Sequence, residues 1–325
     1  MPTTRQALLA LLCEQPGQDI SGQALADRLG VSRAAVHKAA AALQKQGYAI
    51  QAVSGRGYRL TAESDCLTRE ELELLWPHRP CRVLPQVDST NREMRRMILE
   101  GASHGTLVVA GAQTEGRGRA GRVFVSPPGG VYLSLLLCPQ PDAPGDVTAV
   151  TAAAAVAAAR AVETLCGRQL RIKWVNDLYW QGRKVGGILT EGLLDMESGR
   201  PSHVVAGIGL NLRTPAGLLA DAPEAGSLFP DGAAPCGRAR LAAAIAGELL
   251  RWDGSPAWWE EYRARSLVLG HWLTVTEPTG HTYTALAQAI DGEGRLVVQL
   301  PGGGVRALRS GEVRTRPAPR PGESF

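Results

Sequence analysis

The sequence has no uninterrupted hydrophobic run long enough to cross a membrane. Its longest apolar stretch, residues 147–165, is mostly alanine and is interrupted by Thr148, Thr151, Arg160 and Glu163. A transmembrane helix needs about 20 predominantly apolar residues, so we interpret this stretch as a buried helix of a water-soluble protein. The first residues also lack the charged and apolar segments of a secretory signal. We therefore expect no membrane contact and a cytoplasmic location.

Cysteine is scarce and scattered. No two cysteines have the spacing of metal ligands; they are Cys13, Cys66, Cys81, Cys138, Cys166 and Cys236. We interpret them as unpaired small hydrophobic residues in a reducing compartment. The sequence therefore predicts neither a disulfide framework nor a metal site built from cysteines, and we expect no protein-held metal centre.

Excess positive charge is confined to the first 60 residues. The whole chain has 35 Lys and Arg against 31 Asp and Glu, a formal charge of +4. Residues 1–60 hold seven basic and three acidic residues, which also gives +4 and leaves 28 of each sign in the rest. A localised excess of this kind indicates an acidic partner for the first domain.

The first 60 residues have the pattern of three helices followed by a small β-ribbon. Gly30 can end the second helix, and Ser32 can cap a third helix that runs to Gln46. Two short runs with strand character follow, at residues 48–53 and 58–60. This order predicts a winged helix-turn-helix.

In such a module the third helix enters the DNA major groove with its N-terminal residues leading. We expect Ala34, Ala35 and Ala39 to allow close approach. The predicted DNA-binding residues are Ser32, Arg33, Ala34, His37, Lys38 and, on the wing, Arg56. The alternative is a protein–protein module whose basic face is simply solvated. The order of elements and the localised charge favour DNA, and the base sequence that it reads is not encoded in this pattern.

From Leu67 onward, short β-rich runs alternate with helices. The predicted strands are residues 107–112, 131–137, 170–174, 185–191 and 204–209, and the main predicted helices are residues 90–100 and 146–166. This alternation predicts an α+β domain with a mixed sheet. After Gly270, short strands separated by Gly- and Pro-rich turns predict a small β-barrel, followed by a disordered tail over residues 317–325.

Residues 116–122 read Gly-Arg-Gly-Arg-Ala-Gly-Arg, a composition unsuited to a core. Glycine lets backbone N–H groups approach an anion, and each guanidinium can bind a phosphate or carboxylate with two hydrogen bonds. The segment is not a Walker A loop, because it lacks the Gly-Lys-Ser/Thr ending. In isolation it could equally be an exposed basic turn.

Four further segments strengthen the case for a ligand site. They are residues 89–91 (Ser-Thr-Asn), 173–177 (Lys-Trp-Val-Asn-Asp), 182–189 (Gly-Arg-Lys-Val-Gly-Gly-Ile-Leu) and 207–211 (Gly-Ile-Gly-Leu-Asn). The simpler interpretations are a helix N-cap for the first, a turn for the Asn-Asp pair and a surface lysine for Lys184. The functional interpretation is a polar site in which strand glycines permit close approach of a ligand.

In order and combination, these five segments resemble the biotin–protein ligases. The N-terminal module makes the resemblance one to the bifunctional bacterial ligases that also repress the biotin operon, and it extends over nearly the whole chain. It implies a multi-domain α+β protein. The implied domains are a winged helix-turn-helix over residues 1–62, a class II synthetase-like α/β ligase domain over 67–268, an SH3-like β-barrel over 269–316 and the tail over 317–325.

The resemblance also implies a reaction. The biotin carboxylate attacks the α-phosphate of ATP, with Mg²⁺ present, to give biotinyl-AMP and pyrophosphate. A lysine of biotin carboxyl carrier protein then attacks this mixed anhydride. A ligand-promoted homodimer would place two winged helices on an operator, so that the protein also represses biotin synthesis genes.

Residue roles follow from the same resemblance. Lys184, Arg117 and Arg119 are the expected catalytic residues, with Lys184 touching both the biotin carboxylate and the α-phosphate. Biotin binding is assigned to Ser89, Thr90, Asn91, Gln113, Arg117, Gly118, Arg119, Lys184 and Gly187. ATP and adenylate binding is assigned to Arg119, Arg122, Lys173, Asn176, Asp177 and Asn211. Asn176, Asp177 and Asn211 could serve ATP, Mg²⁺ or the incoming lysine, and the sequence does not separate these roles.

The chain departs from the family pattern at two places. The family usually has Pro where this chain has Val175, and Lys-Trp where it has Val123-Phe124. Because the replacements are apolar, they bear on packing more than on chemistry. The competing interpretations are a lipoate–protein ligase, a repressor that senses biotin without catalysis, and a ligase whose winged helix no longer recognises an operator.

Overall fold

The computed structural model describes residues 3–15, 17–45, 48–61, 65, 67–138, 147–194, 201–232, 234–277, 279–309 and 314–317. Within these residues the chain forms an N-terminal helical unit, a large sheet covered by helices and a smaller C-terminal sheet. The predicted helix-turn-helix and the predicted mixed sheet are both confirmed.

The N-terminal unit has the predicted order of elements. They are α1 (Thr4–Glu14), α2 (Gly22–Leu29), α3 (Arg33–Lys45), β1 (Ile50–Val53) and β2 (Gly57–Leu60). Gly30 ends α2 with a φ of 64°, and the Ser32 hydroxyl caps α3 by accepting a hydrogen bond from the Ala35 amide at 3.2 Å. Leu8, Leu25 and Leu43 form the centre of its core. The predicted helix end at Gln46 and Gly47 lies outside the described residues.

An ion pair fixes the ribbon against the chain that precedes α2. Arg59 donates to both carboxylate oxygens of Asp19, at 2.7 and 2.8 Å. This guanidinium holds the pKa of Asp19 below its usual value. Gly57 has a φ of 110°, and a Cβ there would lie 2.0 Å from the Ile20 carbonyl oxygen. The wing therefore needs glycine at this position, because the start of β2 lies directly against the backbone of Ile20.

A short helix that the sequence pattern did not predict, α4 (Arg69–Leu75), follows the winged helix. Thr68 caps α4 and shares a 2.7 Å hydrogen bond with the Tyr48 hydroxyl. Gln6 of α1 donates to Glu73 of α4 at 2.8 Å. These bonds attach the winged helix to the beginning of the next unit.

The central sheet has seven strands. They are β3 (Cys81–Leu84), β4 (Leu107–Ala110), β5 (Val131–Leu137), β6 (Arg171–Lys173), β7 (Asp177–Trp180), β8 (Arg183–Leu194) and β9 (Pro201–Leu210). Their order across the sheet is β3-β4-β5-β9-β8-β7-β6. Among the strand pairs of this sheet that the structure describes, β3 and β4 are parallel and the others are antiparallel, so the sheet is mixed. Both β8 and β9 extend beyond the strands predicted at residues 185–191 and 204–209.

Helices cover both faces of this sheet. On one face α5 (Thr90–Leu99) buries Met94 and Met97 against Val108 and Leu136. The other face carries α6 (Val147–Cys166), α7 (Arg238–Leu250) and α8 (Pro256–Ala264). The sequence pattern predicted α5 and α6 but not α7 or α8, and the predicted start of α6 at Asp146 lies outside the described residues.

The alanine-rich α6 is the centre of the second core. By length and composition it could cross a membrane, but 72% of its apolar window is buried inside the fold. Residues 154–159 are all fully buried, and their small side chains let α6 pack closely on both α7 and the sheet. The structure thus agrees with the prediction of a core helix.

The C-terminal unit is an antiparallel five-stranded sheet. Its strands are β10 (Trp272–Thr276), β11 (Thr282–Ile290), β12 (Leu296–Gln299), β13 (Val305–Leu308) and β14 (Arg314–Pro317), in the order β13-β12-β11-β10-β14. Among the described residues, no pairing joins β13 to β14, so a closed barrel is not established. Pro317 pairs with Leu273 and is therefore not part of a tail; residues 318–325 lie outside the described residues.

Candidate active site

A cavity of about 1060 Å³ lies where the central sheet, residues 116–122 (the glycine–arginine loop) and the turn after β10 meet. Of the residues predicted to bind ligands or catalyse, only Asn211 does not line it. Those that do are Ser89, Thr90, Asn91, Gln113, Arg117, Gly118, Arg119, Arg122, Lys173, Asn176, Asp177, Lys184 and Gly187. Sequence segments that are far apart along the chain thus meet in one cavity.

The start of α5 forms one end of the cavity. Ser89 is the N-cap residue, but its side chain makes no capping hydrogen bond. Thr90 directs both its amide and its hydroxyl to Oε1 of Gln113, at 2.8 and 3.2 Å. The Gln113 amide in turn donates to the Ser126 hydroxyl at 2.9 Å. This chain fixes the orientation of Gln113, and the buried Ser89 hydroxyl stays available to a ligand.

Asn91 is already used by the protein. Its amide donates to Glu191 at 2.8 Å and to the Leu189 carbonyl at 3.1 Å, while its Oδ1 accepts from Ser134 at 2.6 Å. These bonds join α5 to two strands of the sheet, β5 and β8. Asn91 therefore forms part of the cavity wall, and its hydrogen bonds hold the wall together.

Glycines of β9 accommodate protein side chains. A Cβ on Gly207 would lie 2.2 Å from Oδ1 of Asn91, and one on Gly209 would lie 2.3 Å from Cε1 of Phe124. The sequence pattern indicated that these glycines leave room for a ligand, whereas in the structure Asn91 and Phe124 fill that room. Gly187 differs, because its nearest neighbours would be 3.6 Å or more from a Cβ.

The glycine–arginine loop is a narrow turn. The Phe124 amide donates to the Gly116 carbonyl at 2.9 Å, and the Gly118 amide donates to the Arg122 carbonyl at 2.7 Å. A Cβ on Gly116 would lie 2.2 Å from the Phe124 carbonyl oxygen, so this turn requires glycine there. Arg117 and Arg122 are exposed at its sides. The loop thus presents guanidinium groups at the mouth of the cavity.

Arg119 points inward from this loop. Its Nη1 donates to Oδ1 of Asn176 at 3.2 Å. Burial lowers the pKa of Arg119 below its usual value, while Asp177 acts in the opposite direction. The guanidinium nevertheless stays charged at neutral pH because arginine starts from a very high pKa. Arg119 is therefore a desolvated cation, and such a cation acts strongly on an anion nearby.

Lys184 is the second cation of the cavity. Its Nζ donates to Oδ1 of Asp177 at 2.6 Å, and both side chains are more than two-thirds buried. The Lys184 amide donates to the Glu224 carbonyl at 3.0 Å, and its own carbonyl accepts from Gly226 at 2.8 Å. The side chain and backbone of Lys184 are therefore both held in place.

A β-bulge directs Lys184 into the cavity. Tyr179 pairs with Lys184 and Leu178 pairs with Gly186, so Val185 is an extra residue in β8. In a regular strand, residues 184 and 187 would point to opposite faces. The bulge brings Lys184 to the same face as Gly187 and Asp177, as bulges next to active sites commonly do.

The turn between β6 and β7 positions both cations. Asn176 is held at both ends, since its carbonyl accepts from the Ile188 amide and its side-chain amide donates to the Ile188 carbonyl, each at 2.9 Å. The buried Tyr262 hydroxyl donates to the Val175 carbonyl at 2.9 Å, and burial raises the pKa of this phenol. Asn176 thus orients Arg119 while Asp177 orients Lys184.

Asn211 and Lys173 occupy different positions from those two. Asn211 is buried outside the cavity lining, and its amide donates to the Gly226 carbonyl at 2.9 Å. Lys173 lies on β6 opposite Asp177, with its Nζ 5.8 Å from the centre of the Tyr179 ring. Burial, together with the charges of Asp177 and Glu224, raises the pKa of Tyr179 to about 12.

Several cavity residues were not identified from the sequence. They are Glu224 from the loop after β9, Phe124 beside the glycine–arginine loop, and Thr276, Glu277 and Gly280 from the C-terminal sheet. The only signal for the last group was a Pro-Thr-Gly turn, a pattern that marks many loops. That a C-terminal turn would reach the cavity depends on how the two sheets pack.

The predicted DNA-binding residues are exposed on the N-terminal unit. Ser32, Arg33, Ala34, His37 and Lys38 are exposed at the start of α3. Arg56 on the wing is 71% exposed and lies 3.6 Å from Asp19. Ala39, predicted to face DNA, is instead 4% exposed and belongs to the core, because it lies one helical turn from the buried Val36 and Leu43.

Comparisons with known proteins give a family match for the N-terminal helical unit and another for the unit that contains the central sheet. A model described as the biotin/lipoate A/B protein ligase family matches residues 83–211, and a model described as an HTH domain matches residues 4–59. The chain is 38% identical over 218 residues to the bifunctional ligase/repressor BirA of Bacillus spizizenii, which covers 65% of each chain. The chain therefore matches slightly less than two thirds of the length of this relative.

A second relative is covered more fully. The chain is 32% identical over 241 residues to a biotin–[acetyl-CoA-carboxylase] ligase of Mycobacterium tuberculosis, covering 71% of this chain and 87% of that one. The solved biotin protein ligase of Aquifex aeolicus, in complex with biotin and ATP, has a TM-score of 0.60 at 24% identity. That match covers 74% of this chain and 99% of the other, and it shows the fold.

Fold and cavity together define a ligase-type domain joined to a helix-turn-helix unit. The chain belongs to the biotin/lipoate A/B protein ligase family.

Proposed function

We propose that the chain activates biotin with ATP to form biotinyl-AMP and transfers the biotinyl group to a lysine of biotin carboxyl carrier protein. The observation that carries this proposal is the convergence of Arg119 and Lys184 in one cavity, where Asn176 orients the first and the neighbouring Asp177 orients the second. Relatives named as biotin ligases support the choice of biotin over lipoate.

The first step brings two anions together. An oxygen of the biotin carboxylate attacks the α-phosphorus of ATP, a P–O bond forms, and the bond to the leaving pyrophosphate breaks. Preorganised cations stabilise the charge that develops on the phosphate in such a transition state. Lys184, Arg117 and Arg119 supply that charge, and Arg122 and Lys173 extend it along the cavity towards the remaining phosphates.

The polar end of the cavity suits a cyclic urea. The Ser89 hydroxyl makes no capping bond, and Gln113 is fixed by Thr90 and Ser126. We assign these groups to the ureido ring of biotin, with Gly118 and Gly187 giving space along the rest of the molecule. A site that matches each polar atom of a substrate discriminates strongly against analogues that lack one.

Asp177 suits the second step. Its carboxylate already holds the ammonium group of Lys184. When Lys184 turns to the adenylate, the same carboxylate can receive the ammonium group of the acceptor lysine. The amine, after losing a proton through Asp177 to solvent, attacks the carbonyl carbon, an amide bond forms, and AMP leaves.

The donor set also fits Mg²⁺. This ion prefers oxygen ligands and is usually held by one or two carboxylates together with substrate phosphates. Asp177 and Glu224 are the carboxylates on the Lys184 side of the cavity, and they would hold the ion there. It would supply additional neutralisation of the triphosphate. Asn211, which does not line the cavity, is assigned a structural role.

The winged helix supports a second activity for the same chain, repression of biotin synthesis genes. Its exposed basic residues would bind operator DNA, and a ligand-promoted homodimer would supply two copies to a two-fold site. Within this proposal, residues 1–62, 67–268 and 269–316 are the three domains, the last an SH3-like barrel, and the protein acts in the cytoplasm. Sedimentation with and without biotin and ATP tests the dimer, and an unchanged mass would contradict it.

The test of the ligase proposal is incubation with biotin, Mg-ATP and a biotin carboxyl carrier domain, with the carrier mass read by mass spectrometry. We expect an increase of one biotinyl group, absent when lipoate replaces biotin. A carrier of unchanged mass, with biotin still bound to the protein, would instead support a repressor that senses biotin without catalysis.

A further inference from the structure

In the connection between the winged helix and the ligase domain, the carboxylate of Asp65 is bound on the ligase side. Asp65 lies four residues after Thr61, whose backbone and hydroxyl still bond to Ala49 of the winged helix. Its side chain is 29% exposed, and it contacts two arginines whose side chains are only 16% and 17% exposed, Arg238 and Arg213. We call Asp65, Arg213 and Arg238 the linker clasp.

The clasp caps a helix of the ligase domain from a distant part of the chain. The N-cap residue of α7 is Gly237, which has no side chain to cap with. Asp65 Oδ1 takes that place by accepting from the Arg238 amide at 3.3 Å and from its Nε at 2.9 Å. The Asp65 carbonyl accepts from Nη2 of Arg238 at 3.1 Å. A negative charge at a helix N-terminus is stabilising, so the linker is fixed at this point.

The second arginine connects the clasp to the polypeptide that follows β9. Arg213 Nη1 lies 3.4 Å from Oδ2 of Asp65, and its Nη2 donates to the Cys236 carbonyl at 3.0 Å. The next residue, Thr214, donates its amide to the Ser227 hydroxyl at 3.0 Å. Ser227 donates to the carbonyls of Leu212 and Asn211, at 3.0 and 3.2 Å.

This hydrogen-bonded segment ends at Lys184. Asn211 donates its side-chain amide to the Gly226 carbonyl at 2.9 Å, and the Gly226 amide donates to the Lys184 carbonyl at 2.8 Å. The Lys184 amide is held by Glu224 of the same loop. Consecutive, mostly buried bonds therefore join Asp65 to the backbone of the cavity lysine, and Asn211 is the middle of that path.

We propose that the linker clasp fixes the winged helix to the ligase domain and couples its placement to occupancy of the Lys184 cavity. The coupling rests on the proposed function for its ligand. A ligand that orders Lys184 and the 224–226 loop stabilises the hydrogen bonds that run through Asn211 to Arg213. It thereby also stabilises the ion pair between Arg213 and Asp65. Such coupling requires that both the Lys184 cavity and the winged helix change state. Each of these two changes can be measured separately.

The experiment is hydrogen–deuterium exchange of the full chain, followed on peptides that cover residues 4–60. The variant is Asp65→Ala, and the matched control is Glu70→Gln, which removes the 3.7 Å pair with Arg5 between the same two units and leaves the clasp intact. Without ligand, we expect exchange in α1 and the β1–β2 ribbon to rise in Asp65→Ala by about fivefold or more relative to Glu70→Gln, the lower end of common coupling strengths.

The second arm adds biotin and Mg-ATP. In the wild type and in Glu70→Gln, we expect exchange of the winged helix to slow on addition; in Asp65→Ala this response is lost, while pyrophosphate release stays within about twofold because Asp65 lies outside the cavity. An unchanged winged helix in the wild type, or an intact response in Asp65→Ala, overturns the coupling. Should Asp65→Ala not fold, Asp65→Asn, which keeps an acceptor oxygen for Arg238 but removes the charge opposite Arg213, is judged by the same outcomes.

Failure of the proposed function is visible separately. A wild type that releases no pyrophosphate contradicts the ligase proposal, and the arm without ligand still decides whether the clasp fixes the winged helix. Equal exchange in Asp65→Ala and Glu70→Gln in that arm overturns the clasp itself.

Discussion

Asp177 and Lys184 form a 2.6 Å ion pair across two neighbouring strands only because β8 contains one extra residue, Val185. Without that bulge, Lys184 would face away from Gly187 and from the cavity. The position of Lys184 therefore depends on a local irregularity of the sheet, and the Asp177 carboxylate limits the directions that its ammonium group can take.

Replacing Lys184 tests the first chemical step. We expect Lys184→Ala to lower the rate of biotin-dependent pyrophosphate release by about 10²–10³-fold, the usual effect of removing one group that stabilises transition-state charge. The control is Lys38→Ala, which removes the same charge from the winged helix. Equal rates in the two variants would remove Lys184 from the mechanism.

Replacing Arg119 tests retention of the intermediate. Arg119→Gly removes the hydrogen bond that joins the glycine–arginine loop to Asn176. A hydrogen bond to a charged group contributes about 1.5 kcal/mol or more, so biotinyl-AMP should escape into solution on the order of tenfold faster, with its formation partly retained. Free adenylate is measured by chromatography and mass spectrometry, with Arg56→Gly as the control. Release no faster than in the wild type would contradict a role in retention.

The contact between Gly209 and Phe124 makes a steric prediction. Gly209→Ala places a methyl group against the Phe124 ring and should lower stability by about 1–3 kcal/mol, as overpacking does, while weakening biotin binding as the ring moves into the cavity. The double variant Gly209→Ala/Phe124→Leu should recover part of both losses. Gly217→Ala is the control, because nothing lies within 4 Å of a Cβ there. Denaturant unfolding measures the stability of each variant, and calorimetry measures its biotin binding. If the double variant recovers neither, the Gly209–Phe124 contact is not the cause of the losses.

DNA binding can be tested before any operator is known. Affinity for a random-sequence duplex should fall with rising salt, and each lost phosphate contact should reduce the slope of log K against log salt by about one. We expect this reduction for Arg33→Ala and for Arg56→Ala. Arg309→Ala, which removes an exposed charge outside the winged helix, should leave the slope unchanged. Identical slopes in all three variants would remove α3 and the wing from the DNA interface.

Local patterns were sufficient for much of the fold. The cap at Ser32, the stop at Gly30 and the strand over residues 131–137 follow from nearest-neighbour chemistry, and the structure has them at the predicted positions. Ala39 was misplaced because alanine suits a core as well as a protein surface. Helices α7 and α8 were not predicted, since their alanines and tryptophans gave no clear amphipathic stripe and they form against α6.

In the candidate site, too, local motifs predicted some features, whereas others depend on tertiary packing. The sequence motifs identified most of the cavity residues, because each motif carries its own chemical signature. Asn91 and Asn211 carry the same signature, yet their amides bind protein groups; hydrogen-bond partners distant in sequence decide such cases. Glu277 could not be found at all, because its place in the cavity depends on how the C-terminal sheet packs.

That packing has a consequence for the order in which the molecule is completed during synthesis. Trp174 donates its indole N–H to the Gly294 carbonyl at 3.0 Å, and Thr276 and Glu277 form part of the cavity wall. Translation delivers the N-terminal parts of a chain first, so the winged helix and the central sheet leave the ribosome before the cavity has all its walls. A nascent chain would acquire its DNA-binding surface well before its finished ligand site.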